Sequence, residues 1–283
     1  MIPLTYDELV VRSNLPRLEA RALLEHASGR SREWLIAHGD ELPMPAVTVE
    51  FGRLCELRRG GTPIAYLVGW REFYGRRLLV GPDVLIPRPE TELLIEHALR
   101  LTPHQGRVLD LGTGSGCIAL SLVCERNDLD ILATDWSKAA LQIARDNALR
   151  LCRDGLERQR LKFLLSDWWD QVPADLRFDL IVSNPPYINV NDRHLLQGDL
   201  RFEPRIALTD EGDGMDAFRK IASQAASRLT QAGYLLLEHG FDQAAALSEL
   251  LCQTGFEQVE THFDAASLPR LTTAKLTSTK HTF

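Results

Sequence analysis

The period of the hydrophobic pattern changes along the chain. Up to about residue 70 it is helical, as in the stripe Leu15, Leu18, Ala22, Leu23 and His26, and again at Phe51, Leu54, Cys55 and Arg58. Thr5-Tyr6-Asp7-Glu8 fits a capping box, Pro16 suits the first position of a second helix, and Ser31 caps a third that ends near Gly39. A fourth runs from about Pro45 to Gly60-Gly61. These residues predict a small helical bundle with no visible catalytic chemistry, suited to recognition or docking. Between about 71 and 88, Glu72-Phe73-Tyr74-Gly75 and Leu78-Leu79-Val80 are strand-like around a Gly-containing turn, which predicts a hairpin connector. Pro87-Arg88-Pro89 then blocks helix propagation, and Leu93, Leu94, Ala98 and Leu101 mark the next helix.

From there strands and helices alternate. Strand candidates are 107–111, 130–134, 161–165, 180–183, 234–238, 258–263 and 271–277, with helical patterns near 117–126, 137–151, 215–229 and 242–253. Such alternation predicts a mainly parallel, doubly wound α/β sheet with helices on both faces. The last two strands leave little room for a crossover helix, so they are expected to pair antiparallel at one edge.

Composition adds limits. The 283 residues are 45% hydrophobic and 25% charged, enough for one large α/β domain and a small accessory one. No stretch approaches the roughly 20 uninterrupted apolar residues of a membrane helix. The start, Met1 to Glu8, has no basic flank followed by an apolar core, so a cytoplasmic protein is expected. The formal net charge is -7, and residues 1–100 hold 13 Lys/Arg against 14 Asp/Glu. A strong non-specific grip on nucleic acid is therefore not expected. Cys55, Cys117, Cys124, Cys152 and Cys252 are odd in number and widely spaced, which predicts buried reduced thiols rather than zinc ligands or a disulfide framework. The histidines show no metal spacing, and no metal is expected.

In open α/β sheets ligands gather beyond the carboxyl ends of the strands. After the first strand of the alternating region comes Asp110-Leu111-Gly112-Thr113-Gly114-Ser115-Gly116. Its glycines let a ligand lie against the backbone near a helix N-terminus. The spacing is Gly-x-Gly-x-Gly, neither the dinucleotide fingerprint nor a Walker loop with its lysine, and it suggests a nucleoside-type ligand. The second strand ends at Asp135, 19 residues beyond Gly116, where a carboxylate can accept both ribose hydroxyl protons or cap the next helix. After the third strand, Asp167 suits the exocyclic amine of an adenine and Trp168 its ring face; Trp169 reads equally as packing.

The fourth strand runs into Asn184-Pro185-Pro186-Tyr187. Two prolines end the ladder in a rigid turn that can hold the Asn184 side-chain oxygen and the Pro185 carbonyl as fixed acceptors for a planar –NH2. Tyr187 can pack on the face of that group. Together with the glycine loop, this tetrapeptide suggests a methyl acceptor that is an amino or amide nitrogen.

The chain resembles the release-factor glutamine methyltransferase family (HemK/PrmC) over nearly its whole length. The resemblance rests on Gly61-Thr62-Pro63-Ile64-Ala65-Tyr66-Leu67-Val68-Gly69, Arg71–Gly75, Leu85-Ile86-Pro87-Arg88-Pro89-Glu90-Thr91-Glu92, Asp110–Gly116, Asn184–Tyr187, Glu203-Pro204 and Leu237-Glu238-His239-Gly240. It implies an N-terminal helical substrate-recognition domain over 1–70, a hairpin linker over 71–88 and a methyltransferase domain with a Rossmann-like class I sheet over 89–283. It further implies that S-adenosylmethionine is the cofactor, S-adenosylhomocysteine the product and class I peptide chain release factors the partners, methylated on the Gln of their Gly-Gly-Gln motif. Gly112, Thr113, Gly114, Ser115, Gly116, Asp135, Asp167, Trp168 and Asn184 would then hold the cofactor. Asn184, Pro185, Pro186 and Tyr187 would hold the acceptor. No general base is assigned, because no ordinary side chain deprotonates an amide near neutrality.

The chain departs from the family pattern at Thr209-Asp210-Glu211-Gly212-Asp213-Gly214, where a Gly-Gly pair is usual, and at Ala265–Arg270. Arg88, Glu90 and Thr91 have two open readings, anchoring the next helix or bordering the site. His239 reads as a local hydrogen-bonding group. The rivals are an N-methyltransferase of a ribosomal-protein glutamine or of an exocyclic base amine, and a non-catalytic cofactor sensor. A monomer is the default, since no extended heptad pattern is present.

Overall fold

A computed structural model describes residues 3–152 and 159–276. Met1, Ile2 and Thr277, which enter readings above, lie outside the described residues. The chain forms two compact units. The first comprises residues up to Trp70 together with Gln197–Phe202, and the second comprises the remainder.

The first unit is helical: α1 (Tyr6–Arg12), α2 (Arg17–Ser28), α3 (Arg32–Ala37), α4 (Pro45–Arg59) and α5 (Ile64–Val68). The capping box at Thr5 and Glu8 is formed, and the Ser31 side chain accepts from the Trp34 amide. Pro16 is the N-cap of α2 rather than its first helical residue, because its ψ of 136° is extended. The helical pattern above did not include α5, only five residues between Pro63 and a left-handed Gly69. Leu9, Leu23, Leu24, Phe51 and Leu54 form the buried core. Arg58 joins Glu19 at 2.7 Å to Asp199 at 2.9 Å, and the Arg201 guanidinium donates to the Gly60 carbonyl at 2.9 Å. A side chain on Gly61 (φ 99°) would collide with that guanidinium.

The hairpin strands are β1 (Trp70–Phe73) and β2 (Arg76–Leu79). They turn at Tyr74 (φ 47°) and Gly75 (φ 69°), the paired positive φ values of a type I′ turn, which lets two residues join twisted strands. Asn147 fastens the second strand: its side chain pairs with both backbone groups of Leu79, and its amide also donates to the Ser115 carbonyl at 3.0 Å.

The main sheet contains β3 (Arg107–Leu111), β4 (Asp130–Asp135), β5 (Leu161–Leu165), β6 (Phe178–Ser183), β7 (Leu229–Glu238), β8 (Glu257–Phe263) and β9 (Pro269–Lys275). The order is β5-β4-β3-β6-β7-β9-β8, parallel from β5 to β7, with β9 antiparallel to both of its neighbours. The mostly parallel α/β sheet with an antiparallel edge is therefore present. The helices are α6 (Thr91–Leu101), α7 (Cys117–Glu125), α8 (Lys138–Leu151), α9 (Asp216–Arg228) and α10 (Ala244–Gln253). Strand side chains alternate between two cores. Val108, Leu180, Val182 and Leu236 enter one; Leu109, Ile181, Leu235 and Leu237 enter the other. Burial on both faces explains why these strands read as continuous apolar runs. Among the described residues no helix is long and apolar enough to cross a membrane.

The expectation that every cysteine is a buried reduced thiol is corrected. Cys124 in the last turn of α7 and Cys152 at the C-cap of α8 form a disulfide, with Cα atoms 6.1 Å apart. Their separation of 28 residues carries no spacing signal; the packing of the two helices brings them together. Cys252 is exposed, and only Cys55 of the free thiols is fully buried.

Candidate active site

The strand order reverses between β3 and β6, which makes their carboxyl ends the switch point of the sheet. The Ser183 hydroxyl donates to the Leu111 carbonyl there at 2.7 Å, tying the two strand ends together. A cavity of about 400 Å³ opens at this edge, within the size range of small-molecule sites. It is lined by Gly112, Thr113, Gly114 and Ser115 of the glycine loop, though not by Gly116, and by Asp135, Asp167, Trp168, Asn184 and Pro186. Four separate strand ends thus bring together residues up to 72 positions apart, from Gly112 to Asn184.

Gly112, Gly114 and Gly116 all have positive φ, at 74°, 56° and 84°. Only glycine adopts this sequence of conformations without strain. Gly114 has open space where a Cβ would stand, while a Cβ on Gly116 would press on Leu120 of α7 at 2.9 Å. The loop is anchored by Thr113, whose amide donates to the Thr134 carbonyl and whose hydroxyl donates to Asp110 at 2.6 Å. The Ser115 hydroxyl lines the cavity, buried and without a hydrogen-bond partner among the described residues.

Asp135 is buried, and each carboxylate oxygen accepts one backbone amide, Gly114 at 2.9 Å and Ser137 at 2.8 Å. Both readings of this residue therefore coexist. It braces the loop and the start of α8, and each oxygen keeps acceptor capacity for a diol. Burial raises its pKa, partly offset by those amides. Trp168 stands with φ 45°, held by the Ser166 hydroxyl, which donates to its carbonyl at 2.9 Å. Its ring comes within 3.9 Å of a Cβ built on Gly112. Trp169 instead points inward, donating to the Lys220 carbonyl at 2.9 Å, and is packing.

Asp110, next to last in β3, is fully buried, with Oδ1 unpartnered among the described residues. Burial, outweighing the bonds from Thr113 and Ala119, pushes its pKa up to about 7. A folded-state value above the unfolded one favours the native state at low pH. The contribution is complete below about 3.8 and is lost as pH rises through 7. Asp110→Asn, which cannot ionise, is expected to flatten the fall in thermal midpoint between pH 4 and 8, measured by calorimetry without cofactor. An unaltered slope would contradict the buried-acid reading.

The Asn184–Tyr187 turn is divided. Asn184 and Pro186 line the cavity, whereas Pro185 and Tyr187 do not. The Asn184 amide nitrogen donates to the Thr91 hydroxyl at 3.2 Å, which leaves its oxygen as an acceptor. The Tyr187 hydroxyl lies 3.5 Å from Glu238 Oε1, and burial together with that carboxylate raises its pKa. The turn is clamped from behind: the Gln243 amide donates to the carbonyls of Tyr187 and Gly214 at 2.9 and 3.1 Å. A Cβ on Gly214 (φ 81°) would stand 2.3 Å from the Tyr187 carbonyl. The departing segment 209–214 is organised by Asp210, which accepts the amides of Gly212, Gly214 and Asp216.

Of the residues left open between anchoring the next helix and bordering the site, Arg88 and Thr91 line the cavity and Glu90 does not; Glu203 entered only through the family resemblance, and Trp136 and Gln243 were not singled out by the sequence. Trp136, 56% exposed, lines the cavity directly after Asp135. Glu203 accepts the Ile86 amide at 3.0 Å and pairs with Arg88, fixing that wall. His239 is internal: Nδ1–H donates to the Gly240 carbonyl and Nε2 accepts from Thr272.

Residues 8–69 match the family model for the PrmC N-terminal domain, and residues 89–200 that for the Methyltransferase small domain. A release factor glutamine methyltransferase of Neisseria gonorrhoeae is 48% identical over 273 residues, covering 96% of this chain and 98% of that protein. Its counterpart from Bordetella pertussis is 49% identical over 266 residues, covering 93% and 96%. A methyltransferase structure from Pyrococcus furiosus shares the fold, with TM-score 0.55 and 16% identity over 73% of this chain and 91% of that one. Identity at this level across nearly the full length places the chain in the release factor glutamine methyltransferase family.

Proposed function

We propose that this chain transfers a methyl group from S-adenosylmethionine to the side-chain amide nitrogen (N5) of the Gln in the Gly-Gly-Gln motif of class I release factors. The observation that carries the reading is Asn184. Its nitrogen is engaged by Thr91, and its oxygen remains as an acceptor beside a glycine-cradled cavity.

The cavity fits the cofactor on its own residues. Gly114 leaves open space, the Ser115 hydroxyl has no hydrogen-bond partner among the described residues, and the Asp135 oxygens retain acceptor capacity. Asp135 would receive the ribose hydroxyls, Trp168 and Asp167 the adenine, and the loop backbone the amino-acid portion. When bound, S-adenosylmethionine supplies a methyl group activated by its sulfonium.

The chain's task is to make a poor nucleophile reactive. The lone pair of an amide nitrogen is delocalised into its carbonyl. The Asn184 oxygen and the Pro185 carbonyl would each accept one N–H, polarising the group and fixing its direction of approach. Positive charge develops on nitrogen during transfer, so fixed acceptors there favour the transition state over the ground state. The proton leaves afterwards to water, without a dedicated base. The N-terminal helical unit, which carries no such chemistry, would supply the release-factor recognition surface.

Incubation with labelled S-adenosylmethionine and a release factor, followed by peptide mapping, is expected to place the methyl on the Gly-Gly-Gln glutamine. A Gln→Ala release factor should take up none. Label entering nucleic acid or a ribosomal protein instead would overturn the substrate assignment.

A further inference from the structure

We infer that Glu238 and Thr91 are positioning residues for the transfer, the Glu238 carboxylate acting through the Thr91 hydroxyl to hold the Asn184 amide in its accepting orientation. The inference rests on Asn184 being the group that orients the acceptor.

Three separate elements converge here. Glu238 is the last residue of β7 and is 2% exposed; Thr91 opens α6 and is 1% exposed; Asn184 follows β6. The Thr91 hydroxyl is not spent on capping, since Glu90 holds the N-cap position and the Thr91 amide already donates to the Arg88 carbonyl. Having accepted from Asn184 Nδ2, that hydroxyl has one proton to give, and it stands near enough to the Glu238 carboxyl to hold the carboxyl's pKa down. The Tyr187 hydroxyl leans on the same carboxyl, so one group braces both ends of the Asn184–Tyr187 turn.

An ionised carboxylate is acceptor-only, which gives the chain one direction. Glu238 accepts from Thr91, Thr91 accepts from Asn184 nitrogen, and the Asn184 oxygen is left over. A protonated Glu238 can donate to Thr91 instead, and the amide then loses its reason to keep nitrogen on that side. Glu238 Oε2 is buried with no hydrogen-bond partner among the described residues, an arrangement that packing alone would not favour.

The charged and titratable groups around Glu238 work in opposite directions. Glu90 raises its pKa, while Arg270, Thr91 and Tyr187 lower it. Cys117, whose own thiol is pushed up to about 12, stays neutral. Burial dominates and brings Glu238 to about 7, so the acceptor-only form fills as pH rises through neutrality.

The test is kcat, KM and cofactor affinity against pH for the full-length wild type and for Thr91→Val, Thr91→Ser, Glu238→Gln and Asn184→Ala, with a release factor as substrate. Thr91→Val, which keeps the volume and loses the hydroxyl, is expected to lower kcat about tenfold at unchanged cofactor affinity. Thr91→Ser, which keeps the hydroxyl and loses volume, should restore it. A packing role predicts the reverse order, and that order would overturn the inference. Wild-type kcat should rise with pH through about 7, and Glu238→Gln should lose this rise. A Glu238→Gln profile identical to wild type also overturns it. If Glu238→Gln does not fold, the Thr91 pair decides alone. An unimpaired Asn184→Ala would show instead that the reading of Asn184 itself is wrong.

Discussion

Asn184→Ala is expected to lower kcat about a hundredfold, a loss on the order of 3 kcal/mol, because it removes an acceptor whose bond strengthens as charge builds on the methylated nitrogen. Cofactor affinity should change far less, since the glycine loop and Asp135 remain. Folding should be little affected, because the lost bond to Thr91 is a single side-chain contact at the cavity edge. Single-turnover methylation of a release factor measures the step directly. Turnover within a fewfold of wild type would remove Asn184 from the orienting role.

The second large effect is expected at Asp135. Replacement by Ala removes the acceptors we assign to the cofactor ribose and also frees the amides of Gly114 and Ser137 that the carboxylate now holds. The loop would therefore lose order as well as a binding contact. Together these changes should weaken S-adenosylmethionine binding about a hundredfold, roughly 3 kcal/mol from several charge-assisted hydrogen bonds. Titration calorimetry reads this without any acceptor present. Asp135→Asn, which keeps one oxygen but presents an amide where a second acceptor stood, should fall between wild type and Ala. An unchanged dissociation constant for the Ala variant would assign the carboxylate to bracing the loop alone.

What was legible in the sequence was whatever is written in consecutive residues. The glycine loop, Asp135 at a strand end and Asn184-Pro185-Pro186-Tyr187 each announce a backbone requirement within a few positions. The sheet was legible for a similar reason: its strands are short apolar runs separated by helical periods, and the lack of room before the last strand indicated its antiparallel pairing. The contacts of the supporting groups were not legible. Thr91 lies 93 positions from Asn184 and Gln243 lies 56 from Tyr187, and neither residue type is unusual on its helix. Gly214 looks like an ordinary turn glycine until the Tyr187 carbonyl is seen against it. β7 begins earlier than its apolar run because Leu229–Gly233 pairs irregularly with β6, with Ala232 at φ 62°. Cys124 and Cys152 are related only by the packing of two helices.

The segment Gln197–Phe202 counts with the N-terminal helices although it lies deep within the catalytic sequence. The polypeptide consequently passes from one unit to the other three times, after Trp70, before Gln197 and after Phe202. A fragment beginning at residue 71 is thus not a clean catalytic module. It keeps Asp199 and Arg201 but discards their partners, the Arg58 guanidinium and the Gly60 carbonyl. Removing the N-terminal unit from this protein calls for a replacement of that short return segment as well as a new starting methionine.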